Sequence, residues 1–220
     1  MKKEIKCVWT VASECGPIRE KNEDSVLPAV SGSTTEVLYA AVCDGLGGYR
    51  GGGIASKLAV KEVENVPSNL EDVVFNADKS ILTFQKDNPE YSNMGTTMTL
   101  VSIENGGKLK LVHIGDTRCY ILSNRILHQI STDHVLSGSS SMLTQALGTG
   151  KKLEPEIIDF QLSIGDVVLL CSDGFYNEVS ESYIKRKLSE GATADSVVKE
   201  VLEGDPKDNV SVVIINIVKK

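Results

Sequence analysis

Three observations on the 220-residue sequence predict a single α+β domain. Apolar segments with strand character cluster in runs, and segments with helical character lie between those runs instead of alternating with single strands. Hydrophobic residues make up 41% and charged residues 24% of the chain, which is ordinary for a globular protein. No long linker rich in proline, serine or glycine divides the sequence, so residues 1–220 are expected to form one domain.

The first third of the chain predicts two strands followed by two helices. The strands are expected at residues 5–12 and 37–43, with a charged loop at 16–25 between them, and the helices at 54–65 and 70–86. The strand at 37–43 is nearly all apolar, which indicates burial on both faces. It ends at Asp44-Gly45, and a glycine-rich turn follows. Asn69 or Ser68 is expected near the start of the second helix.

The rest of the chain predicts a strand meander, a polar loop and a second set of strands and helices. The meander strands are expected at 96–103, 108–114, 118–122 and 126–130, joined by turn-forming residues. Residues 134–152 are small and polar and are expected to form a loop. Further strands are expected at 156–162, 166–171 and 210–218, with helices at 181–190 and 194–204 before the last strand.

Charge and cysteine usage exclude several classes of protein. The net charge of −7 and the absence of a lysine/arginine cluster argue against nucleic-acid binding. The chain has an odd number of cysteines, five, and no CxxC pair, so a cytoplasmic protein with reduced thiols is expected. Cys43, Cys119 and Cys171 lie in apolar runs and are expected to be buried. No signal peptide or membrane-spanning run is recognisable. A monomer is the default expectation, because no apolar helix face is left over.

Aspartates at the ends of apolar strands are the candidate functional residues. Asp44, Asp116 and Asp173 each lie beside a glycine where such a strand ends, and Asp208 precedes the last strand. An isolated Asp-Gly pair is only a turn signal, and Asp166 is interpreted that way. If the four carboxylates converge, they repel one another and their pKa values rise unless a cation intervenes. Oxygen ligands favour Mg²⁺ or Mn²⁺, and the missing His-x-His and cysteine clusters argue against zinc.

Seven motifs in a fixed order carry a resemblance to a known family. They are Arg19-x-x-Asn22-Glu23-Asp24, Asp44-Gly45-Leu46-Gly47-Gly48 with Gly52 and Ala55-Ser56, Gly95-Thr96-Thr97, Gly115-Asp116-Thr117-Arg118, Gln145-Ala146-Leu147-Gly148, Ser172-Asp173-Gly174 and Asp208-Asn209. From about residue 10 to residue 215 the chain resembles the metal-dependent protein phosphatases of type 2C (PPM), in their compact bacterial form. Any one of these motifs would be a weak signal, whereas the ordered set is specific.

The resemblance implies a fold and a metal centre. The fold is a four-layer α-β-β-α sandwich, with two packed antiparallel sheets flanked by helix pairs. The centre holds two Mn²⁺ or Mg²⁺ ions bridged by Asp44. Asp173 and Asp208 complete one metal site, while Glu23 (through water) and the Gly45 carbonyl serve the other. The resemblance therefore implies a reaction without a phosphoenzyme intermediate.

The implied activity is hydrolysis of phosphoserine and phosphothreonine esters in proteins. Arg19 matches the arginine that holds the substrate phosphate, and a guanidinium fork suits phosphate oxygens. Water activated by the two metals attacks phosphorus, so Arg19, Asp44 and Asp173 are the expected catalytic residues. The implied partners are phosphorylated proteins, including a serine/threonine kinase or its targets. Asp24 is interpreted as an acceptor that orders its loop.

Two departures from the family pattern affect the site. A third metal would use Asp116, Asp173 and an aspartate at position 177, where this chain has Asn177, so a weak third site is expected. Only eleven residues separate Asp133-His134 from Ala146-Leu147-Gly148, which is shorter than the usual flap. The general acid is open: Leu46 stands where some members have histidine, and His134 is the one histidine in a motif.

Three alternative functions are set against this prediction. A nucleotide-binding site is disfavoured, because the glycines at 45–53 match neither G-x-x-x-x-G-K-[ST] nor G-x-G-x-x-G. A non-catalytic binding or sensor module of the same fold would be expected to lose metal carboxylates, which this chain keeps. A phosphatase for small phosphorylated metabolites is the remaining alternative.

Overall fold

The structure, a computed structural model, describes residues 4–47, 50–65, 69–138 and 142–220. Its strands are β1 (Ile5–Glu14), β2 (Ser25–Leu27), β3 (Gly32–Thr34), β4 (Leu38–Cys43), β5 (Met98–Ile103), β6 (Lys108–Ile114), β7 (Arg118–Ser123), β8 (Ile126–Gln129), β9 (Glu156–Gln161), β10 (Val167–Cys171) and β11 (Val210–Lys219). Its helices are α1 (Gly52–Glu64), α2 (Leu70–Asp87), α3 (Asp173–Tyr176), α4 (Glu181–Ser189) and α5 (Ala194–Leu202), with one 3-10 turn at Pro89–Tyr91.

The strands form two sheets, and every pairing between named strands is antiparallel. One sheet has the order β3-β1-β11-β10-β7-β8 and the other β2-β4-β5-β6-β9. From β1 to β4 the chain alternates between the two sheets, because β1 and β3 belong to the first sheet and β2 and β4 to the second. The loop after β1 therefore leads from one sheet to the other.

Alternation along the central strands creates three apolar layers. In β4, Ala40 and Val42 pack between the two sheets, while Ala41 and Cys43 face α1 and α2. β10 and β11 likewise contribute side chains to two cores, one between the two sheets and one under α4 and α5. Because successive side chains point to opposite faces, strands buried on both sides are continuously apolar. The result is the predicted four-layer α-β-β-α arrangement, so the fold-class prediction is confirmed.

The longer elements match the sequence prediction to within two residues at most ends. Asn69 is the N-cap of α2, since its side chain accepts a hydrogen bond from the Glu71 N–H at 3.3 Å. Ser68, Gly48 of the glycine-rich motif and residues 139–141 of the predicted loop lie outside the described residues. Cys43, Cys119 and Cys171 are buried, as predicted, and all five cysteines are free thiols.

Four short elements (β2, β3, α3 and the 3-10 turn) are not predicted by the sequence, and the strands expected from residues 37, 96 and 166 begin one or two residues later. β2 and β3 have three residues each, too few to show a period, and they exist because they pair with β4 and β1. The predicted loop at 16–25 therefore ends before Ser25. The single turn α3 follows β10 directly. Thr96 precedes β5 and instead forms isolated bridges to Gly45 and Leu147.

In the described part of the chain, every helix is too short or too polar to cross a lipid bilayer.

Candidate active site

A pocket of about 250 Å³ lies at one end of the two sheets, where seven segments of the chain meet. These segments are the loop between β1 and β2, the turn after β4, the residues just before β5, the β6–β7 turn, the segment between β8 and β9, the start of α3 and the residues just before β11. The pocket is lined by Arg19, Glu23, Asp44, Gly45, Leu46, Gly47, Thr97, Asp116, Leu143, Asp173, Asp208 and Asn209. The structure therefore brings together all the residues that were predicted to hold metal or phosphate.

Asp44 is held at the end of β4 by the two threonines before β5. The Asp44 N–H donates to Thr97 Oγ1 at 2.9 Å, and the Thr96 hydroxyl donates to the Asp44 carbonyl at 2.8 Å. The Thr97 N–H also donates to the same carbonyl at 2.9 Å. The backbone at Asp44 is thus fixed through both its N–H and its carbonyl, and its side chain lines the pocket.

Gly45 allows the glycine-rich turn to pack directly on α1. A Cβ atom at this position would collide with the backbone of Gly52 and lie 2.8 Å from the Glu23 carbonyl oxygen. Real Cβ atoms do not approach backbone that closely, so any side chain here would push the turn away from the helix. The absence of a side chain also leaves the Gly45 carbonyl accessible to a ligand.

Asn209 fastens the loop between β1 and β2 to the start of β11. Its side-chain oxygen accepts the Glu23 N–H at 2.9 Å, and its amide donates to the carbonyls of Cys15 (2.7 Å) and Lys21 (3.0 Å). Asn209 is buried, so these bonds are shielded from water. Asn209 thereby positions Glu23 and Arg19 opposite Asp208. The sequence places Asn209 in the Asp208-Asn209 motif but does not indicate this positioning role.

Asp173 enters the pocket at the first residue of α3. Its Oδ1 atom is buried and has no hydrogen-bond partner among the described residues. Gly174 packs directly against the Asn209 carbonyl, where a Cβ would not fit. Beneath Asp173, the Ser172 hydroxyl donates to Asp24 Oδ2 at 2.8 Å. The second oxygen of Asp24, Oδ1, is buried without a hydrogen-bond partner among the described residues, as Asp173 Oδ1 is. The loop-ordering role of Asp24 stays a prediction.

Burial, reinforced by mutual repulsion, raises the pKa values of four carboxyl groups in and under the pocket. Burial, reinforced by the charges of Asp24 and Asp173, holds the pKa of Asp44 well above its usual range. Burial and the neighbouring Asp173 raise the pKa of Asp116 to about 7. Burial raises the pKa of Asp24 to about 6 against the opposing effect of its serine hydrogen bonds. Burial and Asp208 also raise the pKa of Asp173. Such a cluster needs positive charge to remain ionised at neutral pH.

Arg19 is the positive charge that the protein itself supplies. Its Nη2 donates to Asp208 Oδ2 at 2.6 Å, and its Nε donates to the Lys207 carbonyl at 3.3 Å. The guanidinium is 39% exposed, so one face of the fork is open toward the pocket. Gly47 leaves room for it, since a Cβ there would lie 3.3 Å from Nη1. Arg19 can therefore contact an anion in the pocket while its other side stays anchored.

The donor set suits a hard divalent cation. Carboxylates from five segments and an accessible backbone carbonyl provide only oxygen ligands, as Mg²⁺ and Mn²⁺ prefer. The partnerless Asp173 Oδ1 and the raised pKa values of Asp44 and Asp173 both indicate missing positive charge. Among the described residues, no three acidic, histidine or cysteine side chains already surround one point. Mutual repulsion and the Arg19–Asp208 ion pair account for that separation.

The predicted third metal site is altered by Asn177. Asp116 lines the pocket, but Asn177 lies outside the set of described residues that line it. The Asn177 amide points its N–H at Asp173 Oδ2, 3.4 Å away, so it offers a donor where a carboxylate would offer a ligand. This geometry is consistent with a weak third site.

Asp116 is positioned by a clamp of charged and aromatic side chains. Arg118 forms a two-pronged ion pair with Asp133, with its shortest contact at 2.6 Å, and its guanidinium stacks 3.6 Å from the Tyr176 ring centre. The Tyr176 hydroxyl donates to the Asp116 carbonyl at 3.0 Å. The clamp ties the β6–β7 turn to α3, and sequence reasoning did not identify it because its members are distant in sequence.

His134 lies behind the Asp116 turn and is not among the described residues that line the pocket. Its Nδ1 accepts the Gly115 N–H at 3.1 Å, and its ring centre lies 5.0 Å from that of His113. Burial lowers the pKa of His134. Its role as a proton donor therefore stays a prediction without a contact to support it. His128 is exposed on β8, as expected of a surface residue.

Two packed antiparallel sheets with this carboxylate pocket at one end define the protein phosphatase 2C class. The sequence profile of the family named "Protein phosphatase 2C" matches residues 19–203. The chain belongs to the protein phosphatase 2C family.

The similar proteins are bacterial serine/threonine phosphatases. The serine/threonine protein phosphatase PstP of Mycobacterium tuberculosis is 30% identical over 96% of this chain and 45% of its own length, so the chain spans about half of that relative. The serine/threonine phosphatase stp of Listeria monocytogenes is 29% identical over 91% of this chain and 92% of its own. A crystal structure of PstP superposes with a TM-score of 0.86 at 28% identity, covering 98% of this chain and 100% of that one. The PstP catalytic domain has also been solved in complex with two manganese ions, with a TM-score of 0.84.

Proposed function

We propose that this chain is a protein serine/threonine phosphatase that hydrolyses phosphoserine and phosphothreonine esters with two divalent metal ions. The observation that carries the proposal is one pocket in which the Arg19 fork faces the carboxylates of Asp44, Asp173 and Asp208. A phosphate needs a cationic fork and metal charge together. Membership of the protein phosphatase 2C family and the two manganese ions of PstP support the same chemistry.

Glu23, Asp44, the Gly45 carbonyl, Asp173 and Asp208, which all line the pocket, would hold the two Mn²⁺ or Mg²⁺ ions. When bound, the ions acidify water and stabilise negative charge on phosphate oxygens. Asp116 and Asp173 would hold a weaker third ion. Bound cations would offset the burial and the mutual repulsion that raise the pKa values of Asp44 and Asp173, so both carboxylates would be ionised as ligands.

Arg19 would bind two oxygens of the substrate phosphate and orient phosphorus toward the pocket floor. Its anchoring to the Lys207 carbonyl limits its freedom, so less conformational entropy is lost when the phosphate binds. No serine or cysteine is needed as a nucleophile, and the four buried cysteines are not placed to act as one. The proton for the leaving hydroxyl would come from water or, through a rearrangement, from His134.

We further propose that phosphorylated proteins, including a serine/threonine kinase or its targets, are the substrates, and that residues 1–220 act as one cytoplasmic, monomeric catalytic domain. The apolar core shared by both sheets supports a single domain, and five unbridged cysteines support a reducing compartment. Small phosphorylated metabolites are the second candidate, because the 250 Å³ pocket by itself is large enough for a phosphate and a short stem.

The test is Mn²⁺-dependent release of phosphate from a phosphothreonine peptide, with EDTA as the metal-free control. Asp44→Asn and Asp173→Asn keep the side-chain shape and remove the charge, whereas Asp159→Asn changes an exposed aspartate on β9 as the matched control. Metal-dependent turnover that both pocket variants lose, and that the control keeps, is the expected result. Free phosphoserine is assayed beside the peptide: faster turnover of the free amino acid would favour the metabolite alternative. A folded wild type without turnover in Mn²⁺ or Mg²⁺ would leave the binding-module alternative.

A further inference from the structure

A second, larger depression adjoins the catalytic pocket. It has a volume of about 690 Å³ and lies between the loop after β1 and the N-terminal part of α1. Arg19 and Glu23 line both depressions. A phosphorylated side chain held by Arg19 would therefore place its neighbouring residues in this space, which we call the α1 groove.

Cationic side chains outnumber carboxylates in the α1 groove. Arg19, Lys21, Arg50 and Lys57 line it, against Glu20 and Glu23. This excess of positive charge is notable on a chain whose net charge is −7. Exposed charges that are spread evenly over a surface need no explanation, but one sign gathered in a concave site attracts ligands of the opposite sign.

The three outer cations of the α1 groove are not used by the fold. Lys21, Arg50 and Lys57 are exposed, and among the described residues none of them lies within ion-pair distance of a carboxylate. The N-terminal end of α1 lies beside these cations, but the Glu23 carboxylate already accepts the Gly53 N–H at 3.4 Å. The positive charge of the groove therefore comes from the three side chains and not from the helix end.

The α1 groove also offers apolar surface for a peptide backbone. Ile54 and Tyr91 line it beside the cations. The Tyr91 ring packs on Phe84 with 5.8 Å between ring centres, which holds it in place. A binding site for an extended peptide combines such a surface with a few fixed charges.

We infer that the α1 groove binds an anionic segment of the phosphoprotein next to the residue being dephosphorylated, and so selects substrates with carboxylates or a second phosphate beside that residue. This inference rests on the proposed phosphatase function and adds the class of substrate. Lys21, Arg50 and Lys57 are specificity residues in this account, since they touch the flanking segment and not the reacting phosphate.

The experiment compares matched phosphothreonine peptides with neutral flanks, with glutamates on the N-terminal or C-terminal side, and with a second phosphothreonine at the same positions. Each is assayed with the Mn²⁺-loaded wild type, with the double variant Arg50→Gln/Lys57→Gln, and with Lys79→Gln, which changes an exposed lysine of α2 away from the groove. The quantity of interest is kcat/KM for the anionic peptide divided by kcat/KM for the neutral one, measured on the same protein preparation. Any general loss of folded enzyme cancels in that ratio.

For the wild type we expect a ratio of roughly three to ten on at least one side, since each exposed ion pair contributes modestly. The effect should lie in KM, should fall when salt is raised from about 0.05 M to about 0.5 M, and should fall to near one in the double variant but not in Lys79→Gln. The glutamate and phosphothreonine arms show whether carboxylate or phosphate is preferred. A wild-type ratio near one on both sides, or a ratio unchanged in the double variant, would overturn the inference while neutral peptides are still hydrolysed. Loss of turnover on every peptide would instead refute the phosphatase proposal.

Discussion

Replacing Asp116 by asparagine is expected to stabilise the metal-free protein. Burial and Asp173 raise the pKa of Asp116 from its ordinary value of 3.8 to about 7, so the ionised carboxylate is less favourable in the folded chain than in the unfolded chain. Each pKa unit is worth about 1.4 kcal/mol, which sets an upper limit of about 4 kcal/mol on the penalty above pH 7. An asparagine amide must also be desolvated, so we expect a gain of about 1–3 kcal/mol.

The gain should depend on pH in a definite direction. Above pH 7 the Asp116 carboxyl is ionised in both states, and the whole penalty acts on the folded wild type. As the pH falls from about 7 to about 4, the carboxyl becomes protonated in the folded chain first, so the wild type gains stability relative to the variant. Below the unfolded pKa the difference between the two proteins should have disappeared.

Urea unfolding in EDTA at pH 8 and pH 5 measures both effects. Asp159→Asn, an exposed substitution on β9, serves as the control and should change the free energy of unfolding by less than about 0.5 kcal/mol. The reasoning is refuted if Asp116→Asn is no more stable than the wild type at pH 8. It is refuted equally if the difference is the same at both pH values, since that would indicate a packing effect instead of charge.

Three further perturbations test the site. Arg19→Ala should reduce kcat/KM for a phosphothreonine peptide by roughly 100-fold. Arg19→Lys should recover only part of that loss, because it keeps the charge without the two-pronged fork. Equal activity of the two variants would contradict phosphate binding by the fork. Asn177→Asp replaces the amide donor beside Asp173 with a carboxylate. It should raise the affinity for an additional Mn²⁺, measured by calorimetric titration, and should lower thermal stability in EDTA. Unchanged Mn²⁺ binding would exclude a third site there. Asn209→Leu removes the bonds that hold the Glu23 loop and should destabilise the fold by about 2–4 kcal/mol, with thermal unfolding as the measurement and a shift within error as the contrary result.

The features that could be predicted from sequence are those that leave a local pattern. Continuous apolar runs such as Leu38–Cys43 and Val167–Cys171 indicate strands buried on both faces, and the structure buries every position of the second run. An aspartate one or two residues after such a run lies at a sheet end, so Asp44 and Asp173 could be proposed as partners before their separation was known. The convergence itself came from the ordered motifs, because spacing along the chain carries no information about which strand ends meet.

Short elements and surface constellations could not be predicted in this way. β2 and β3 have three residues each, and their pairing with β4 and β1 depends on neighbours that sequence order does not identify. The α1 groove combines Lys21, from the loop after β1, with Lys57 on a helix, and neither position belongs to a lysine/arginine cluster. A basic site assembled from two segments leaves no charge run in the sequence, which is why overall composition indicated only an acidic protein.

The sequence by itself determined the α+β class, the order of the longer strands and helices, and the candidate aspartates Asp44, Asp116, Asp173 and Asp208, since hydrophobic periodicity and residue chemistry are local properties. Only the tertiary structure decided how those carboxylates are held. The bond from Asn209 to the Cys15 carbonyl spans 194 positions, and the ion pair of Arg19 with Asp208 joins the same two ends of the chain. Such contacts form only after both sheets have packed on a common core, because that packing supplies the free energy that holds distant loops together.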